Sequence, residues 1–280
     1  MRGDFLVDSF KAFWVEKEGK EVHQSMINRS VNDLPQNDVL IRVHYSSLNY
    51  KDALSAKGLP GVTRNYPHTP GIDAAGVVEK SNVADLQKGD EVIVTGFDLG
   101  MNTPGGFGQY ISVPADWVLK KPENMALRDS MIYGTAGLTA ALCYKKLVSM
   151  KAAPEDGPVL VTGSTGGVGS VAVSLLASEG FEVIACTGKA GQEDYLKRIG
   201  ATSVVSRQEL EEGNAAPMGK EKFGHVLDTV GGSILSNALK SLCYGGSAAI
   251  CGLVASPKFE ATVLPFILRN INLLGVDSVE

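Results

Sequence analysis

The residues that can do chemistry cluster around four glycines, Gly163, Gly166, Gly167 and Gly169, in the run Val159-Leu160-Val161-Thr162-Gly163-Ser164-Thr165-Gly166-Gly167-Val168-Gly169. An apolar, β-branched segment leads into them and a helix-like segment, Ser170–Ala177, leads out. Strand, tight turn and helix N-terminus in that order make a dinucleotide pyrophosphate site, because the first N–H groups of the helix point at the anion. Glycine is needed there because a Cβ would block the turn and hold the backbone away from the phosphates. The glycine spacing alone is a weak signal, and the strand and helix on either side make it specific.

The next strand-like run, Glu182–Cys186, ends in Thr187-Gly188-Lys189. A site for NAD places an acidic residue near this position, where it accepts hydrogen bonds from the ribose hydroxyls. Here no carboxylate precedes Gln192-Glu193. A hydroxyl and a cation, Thr187 and Lys189, can instead donate to a 2′-phosphate. Arg207, directly after the third strand-like run Ser203–Ser206, can close on the same phosphate. The residues therefore favour NADP(H).

Two neighbouring chemistries are excluded. Short-chain dehydrogenases carry their glycines near the N-terminus and a Tyr-x-x-x-Lys downstream, whereas neither Tyr195 nor Tyr244 has a lysine four residues on. No Gly-Lys-Ser/Thr closes the turn as in a kinase-type phosphate loop. The net charge of −5 argues against a nucleic-acid partner. No apolar run has the roughly 18–20 residues that span a bilayer, so no membrane association is expected. Charges at Asp4, Asp8, Lys11 and Glu16 interrupt the N-terminus as a secretory signal, and the residues up to Asp8 read as a loose arm. Cys143, Cys186, Cys243 and Cys251 have neither pairing nor metal spacing, and buried free thiols in a reducing cytoplasm are expected.

Around these residues the chain has two rhythms. Residues 1–128 show short β-branched runs (Val39–Val43, Gly76–Glu79, Asp90–Val94, Tyr110–Val113) broken by Gly- and Pro-rich turns, which predict a barrel-like, largely antiparallel domain. Residues 129–280 alternate helix and strand. Strands are expected at Val159–Thr162, Val183–Cys186, Ser203–Ser206, His225–Val230, Ser247–Cys251 and Asn272–Val276. Helices are expected at Ser130–Leu147, Gly167–Ser178, Asp194–Ile199, Ile234–Leu242 and Pro265–Arg269. The fold class is α/β, with a doubly wound parallel sheet of Rossmann type behind the β domain.

Several stretches together resemble the zinc-free medium-chain dehydrogenase/reductases, in particular their acrylyl-CoA reductase and quinone oxidoreductase group. They are Ser46-Ser47-Leu48-Asn49-Tyr50-Lys51-Asp52-Ala53-Leu54, Pro70-Gly71-Ile72-Asp73-Ala74-Ala75-Gly76, Tyr133-Gly134-Thr135-Ala136-Gly137-Leu138-Thr139-Ala140, the glycine run, Asp228-Thr229-Val230-Gly231-Gly232, Pro265–Asn270 and Leu274–Val279. The resemblance implies a GroES-like first domain. Zinc-dependent relatives carry a catalytic Cys and a Gly-His-Glu where this chain has Asn49 and Gly71-Ile72-Asp73, so neither a catalytic nor a structural zinc is expected. The family continues past the Asp-Ser-Val motif with residues that complete the first domain, so that domain is expected to be incomplete without residues beyond 280.

By resemblance, Tyr50 lies near the nicotinamide, where its phenol orients the cofactor or bonds a substrate carbonyl. Thr165, Gly166, Gly167 and Val168 present backbone N–H groups to the pyrophosphate, and Thr187, Gly188, Lys189 and Arg207 match the ribose-phosphate contacts. Leu253 packs on the nicotinamide side, and Ile267 and Ser278 fall on further cofactor-contact positions. Gly134–Gly137 either lets a helix approach the cofactor or serves packing. Lys51 and Asp52 form a local charge pair, and Arg64 and Arg269 either meet a coenzyme A phosphate or are structural. The implied activity is NADPH-dependent reduction of an activated alkene, acryloyl-CoA to propionyl-CoA. Quinone reduction and a non-catalytic NADPH-binding redox sensor remain open. A homodimer through the edge segment Ile271–Val276 is expected.

Overall fold

The computed structural model describes residues 9–213 and 215–279, and the expected loose arm up to Asp8 lies outside them. The chain forms two compact units, one closing at Thr135 and including Val279, the other running from Ala136 to Ser278. The expected boundary after residue 128 falls within a helix, Leu127–Ser149, which is broken at Gly134 (φ 49°, ψ −153°).

In the first unit, β1 (Ser9–Glu18) and β2 (Glu21–Ser30) make an antiparallel hairpin that the pattern of turn residues did not single out. Strands β3 (Val39–Tyr45), β4 (Asp73–Ser81), β5 (Glu91–Thr95), β6 (Tyr110–Val113) and β7 (Leu119–Lys120) form an antiparallel sheet in the order β6-β3-β4-β5-β7. Alternate residues such as Val39 and Ile41, Val92 and Val94, and Ile111 and Val113 point inward and close the core. Helix α1 (Tyr50–Ala56) follows β3 and starts at Asn49, whose extended backbone makes it the N-cap.

The second unit takes α2 (Leu127–Ser149) beyond its break and continues through β8 (Val159–Thr162), α3 (Gly167–Ser178), β9 (Val183–Thr187), α4 (Glu193–Arg198), β10 (Ser203–Ser206) and α5 (Arg207–Glu212). It ends with β11 (Phe223–Asp228), α6 (Gly232–Lys240), β12 (Leu242–Ile250), α7 (Leu264–Arg269) and β13 (Asn272–Gly275). The six strands are parallel, in the order β10-β9-β8-β11-β12-β13. That order reverses direction at β8, and ligands bind at such a switch point, beyond the carboxyl ends of the strands. Both faces of β8 are buried. Val159 and Val161 pack with Cys143 and Leu147 of α2 and Val173 and Leu176 of α3, while Leu160 packs with Leu235 and Leu239 of α6. Burial on both faces explains why this strand reads as a continuous apolar run.

Candidate functional site

At the carboxyl end of β8 the chain turns at Gly163, whose φ of +62° favours glycine. A Cβ there would lie 2.3 Å from Thr229 Oγ1, and one on Gly169 would lie 2.3 Å from Gly163 O, so α3 starts in contact with the strand end. Gly166 N–H donates to Gly163 O (2.9 Å) and closes the turn, and Gly166 lines the cleft beside it. The first intrahelical bond of α3 is Ser170 N–H to Gly166 O (2.9 Å). The N–H groups of Gly167 and Val168 precede it, and no side chain caps this helix end.

A buried network holds this turn. Thr162 Oγ1 donates to Asp228 Oδ1 (2.7 Å) and accepts Thr229 N–H (3.0 Å), and Thr229 Oγ1 donates to Thr162 O (3.0 Å). Asp228 Oδ2 accepts Gly231 N–H (2.8 Å). Burial raises the Asp228 pKa, and the bonds from Thr162, Gly231 and Val230 act against that rise.

Beside the turn lies a cleft of about 320 Å³ lined by Gly163, Thr165, Gly166, Thr187, Gly188, Lys189 and Arg207. It shares Thr187, Gly188, Lys189 and Arg207 with an open groove of about 530 Å³. Thr187 Oγ1 lies 3.3 Å from Thr165 Oγ1 and accepts Lys189 N–H (3.1 Å). A Cβ on Gly188 would come within 3.2 Å of Arg207 Nε, so the guanidinium lies against the bare Cα. Thus the glycine turn, the hydroxyl and the two cations meet in one place, with no carboxylate at the end of β9. A phosphorylated dinucleotide fits this donor set, with the turn for its pyrophosphate and the cations for its ribose phosphate.

In the first unit the expected residues group around two carboxylates. Asp73 is fully buried and accepts from Ser47 Oγ (2.5 Å), Asn49 Nδ2 (2.7 Å), Thr135 Oγ1 (2.7 Å) and Thr135 N–H (3.0 Å). A Cβ on Gly134 would lie 2.5 Å from both Asp73 Oδ2 and Ser47 Oγ, so this glycine serves the approach of the helix break to Asp73. Asp52 is not paired with Lys51. It is buried and accepts Asn49 N–H (2.7 Å) and Ile72 N–H (2.9 Å), and burial raises its pKa against those two bonds. The peptide N–H groups already satisfy this carboxylate, so a lysine partner is not needed. Tyr50, the first residue of α1, is 68% exposed.

Comparison with known proteins identifies the architecture. Residues 35–123 match the alcohol dehydrogenase GroES-like domain, and residues 167–280 match the model described as zinc-binding dehydrogenase. The chain is 46% identical to YhfP of Bacillus subtilis, named a quinone oxidoreductase, and 43% identical to the acrylyl-CoA reductase AcuI of Ruegeria pomeroyi. In both cases the match covers 96% of this chain and 82% of the relative. The chain belongs to the zinc-free medium-chain dehydrogenase/reductases. The yhdH oxidoreductase of Salmonella enterica, solved in complex with NADP, superposes with a TM-score of 0.93 at 41% identity, over 96% of this chain and 82% of that one. The B. subtilis yhfP structure with NAD bound gives 0.94 at 45% identity, over 97% and 83%.

Within this family frame the other expected residues sort by environment. Leu253 and Ile267 are exposed, in the loop after β12 and on α7, and Ser278 is half-buried after β13. The structure does not bring these three into the cleft lined by Thr187 and Lys189. Arg269 is structural: its guanidinium donates to Lys240 O (2.8 Å), Leu242 O (3.2 Å) and Gly219 O (2.6 Å) and pairs with Glu221 at 3.0 Å. His225 is likewise committed, with Nε2 3.1 Å from Asp156 and Nδ1 accepting Ser247 N–H. Cys143 and Cys186 are buried free thiols, whereas Cys243 and Cys251 are half-buried, and Cys251 packs against the core that holds Cys143. Among the described residues no His, Cys, Asp and Glu cluster could hold a metal ion, and no helix is long and apolar enough to cross a membrane. Sequence reading missed Asp73 and Asp228 as organising groups. The signal was there: a carboxylate inside an apolar strand is retained only where donors satisfy it.

Proposed function

We propose that the chain is an NADPH-dependent reductase of an activated carbon–carbon double bond, most concretely of acryloyl-CoA to propionyl-CoA. The observation that carries this reading is the convergence of Thr187, Gly188, Lys189 and Arg207 on one cleft beside the glycine turn, with no carboxylate at the end of β9. A neighbour with NADP bound and a relative named acrylyl-CoA reductase support it.

NADPH, when bound, supplies a hydride for the β-carbon of the alkene. The chain's own groups do the rest. Lys189 and Arg207 neutralise the ribose phosphate, and the N–H groups of Gly167 and Val168 receive the pyrophosphate. Tyr50 offers its phenol to the thioester oxygen as negative charge develops there, a role in which a donor stabilises the transition state more than the ground state. The α-carbon then takes a proton from water or from Tyr50. Leu253, Ile267 and Ser278 are assigned to the cofactor on resemblance. β13, at the edge of the sheet, is assigned to a homodimer contact because an unpaired edge seeks a partner.

The name of YhfP favours quinone reduction as a second reading. The test is NADPH consumption with acryloyl-CoA and a simple quinone side by side, with NADH as control. Preference for acryloyl-CoA with NADPH supports the proposal, and turnover of the quinone alone replaces it with the second reading. Tight NADPH binding without turnover of either moves the function to a redox sensor.

A further inference from the structure

Two carboxylates, Glu193 and Glu211, line the groove around the two cations, and Glu209 and Glu212 lie on α5 nearby; their partners differ. Glu193 is held by Lys197 at 2.7 Å. On α5, Glu209 closes a capping box with Ser206, accepting its N–H at 3.1 Å, and Glu212 accepts Gln208 Nε2 at 2.7 Å. Glu211 is the exception. Its Oε1 lies 3.4 Å from Nε of Arg207, one helical turn earlier, and it lines the same groove as Thr187, Gly188 and Lys189. Among the described residues, no carboxylate is paired with Lys189. One cation of the expected phosphate site therefore stands ready, and the other already carries an anion.

We propose that Glu211 is a specificity-setting residue, an internal counter-charge that competes with the 2′-phosphate of the cofactor for Arg207. The inference rests on the reading that NADPH binds in this cleft. Gly188 lets the guanidinium lie flat at the end of β9, and Glu211 holds it from the α5 side. A dianionic phosphate entering the groove must share the Arg207 guanidinium, whose Nε already faces Glu211, and then remain near that carboxylate. A cofactor with a free 2′-hydroxyl meets neither cost. Glu211 therefore narrows the preference for NADPH over NADH, and the ratio of the two affinities reflects this acid as well as the two cations. Both side chains are about half exposed, 52% for Arg207 and 40% for Glu211, so solvent screens the effect and it remains modest.

The test is Glu211→Gln in the full chain, titrated with NADPH, NADH and adenosine 2′,5′-bisphosphate. The variant is expected to bind NADPH and the bisphosphate about three- to fivefold more tightly, with NADH within about twofold of the parent. The gain should shrink at high salt and fall below about twofold when Arg207→Ala is also present. Unchanged or weaker NADPH binding would overturn the inference. So would an equal gain for NADH, or a full gain surviving the loss of Arg207. Failure of the underlying reading looks different: the unmutated chain would then bind NADPH no better than NADH.

Discussion

Asp73→Ala should cost the first unit about 3–6 kcal/mol. The carboxylate is fully buried and receives four donors from three residues, at 2.5–3.0 Å. Ser47 and Asn49 are half-buried, so their groups find water when the carboxylate is gone. Thr135 is 7% exposed, and both its N–H and its hydroxyl lose a charged acceptor. A hydrogen bond to a charged group contributes about 1.5–3 kcal/mol net, so two such bonds give the figure stated. Asp73→Asn keeps one acceptor oxygen in the same shape and should cost about half as much. Both tryptophans, Trp14 and Trp117, lie in the first unit, so intrinsic fluorescence during urea unfolding reports this unit selectively. A loss below about 1 kcal/mol for Asp73→Ala, or full stability in Asp73→Asn, would refute the view that charge-assisted bonds hold the strand to the helix break.

Gly169→Ala places a Cβ 2.3 Å from Gly163 O, so the turn must open, at about 1–3 kcal/mol, with loss of NADPH binding seen by calorimetry. Lys189→Ala should weaken NADPH about 10- to 100-fold and leave NADH nearly unchanged, because one charge-assisted contact to the 2′-phosphate is lost. Burial pushes the Cys186 thiol up to about 12, so at pH 8 only about one molecule in 10⁴ carries the thiolate there. Iodoacetamide at that pH should leave Cys186 unlabelled in the native chain and label it in urea, as read by peptide mass spectrometry.

The strands and helices of the second unit were largely legible because their patterns are strong. Val159–Thr162 and Gly167–Ser178 match the predicted bounds, since an apolar run and a glycine turn leave few alternatives. Other elements shifted: the predicted strand His225–Val230 is Phe223–Asp228, and the predicted helix Ile234–Leu242 is Gly232–Lys240. Several elements were given no bounds from the sequence. The hairpin Ser9–Ser30 has β2 largely exposed, so no inward alternation marks it. The short helices Tyr50–Ala56 and Arg207–Glu212 span fewer than two full turns and give almost no periodicity.

The sequence by itself determined the glycine turn, the missing acid after the second strand and the cations that follow it. These are local facts, set by φ, by side-chain volume and by charge at fixed offsets along the chain. Only the tertiary structure decided which groups meet. Arg207 reaches Gly188 because β10 pairs in parallel beside β9, and Asp73 collects donors from two segments far apart in the chain. The same holds for Arg269, which caps carbonyls of α6 and β12 rather than facing a ligand. Partners of a buried or paired charge come from residues far apart in the chain, and one-dimensional spacing carries no record of that proximity.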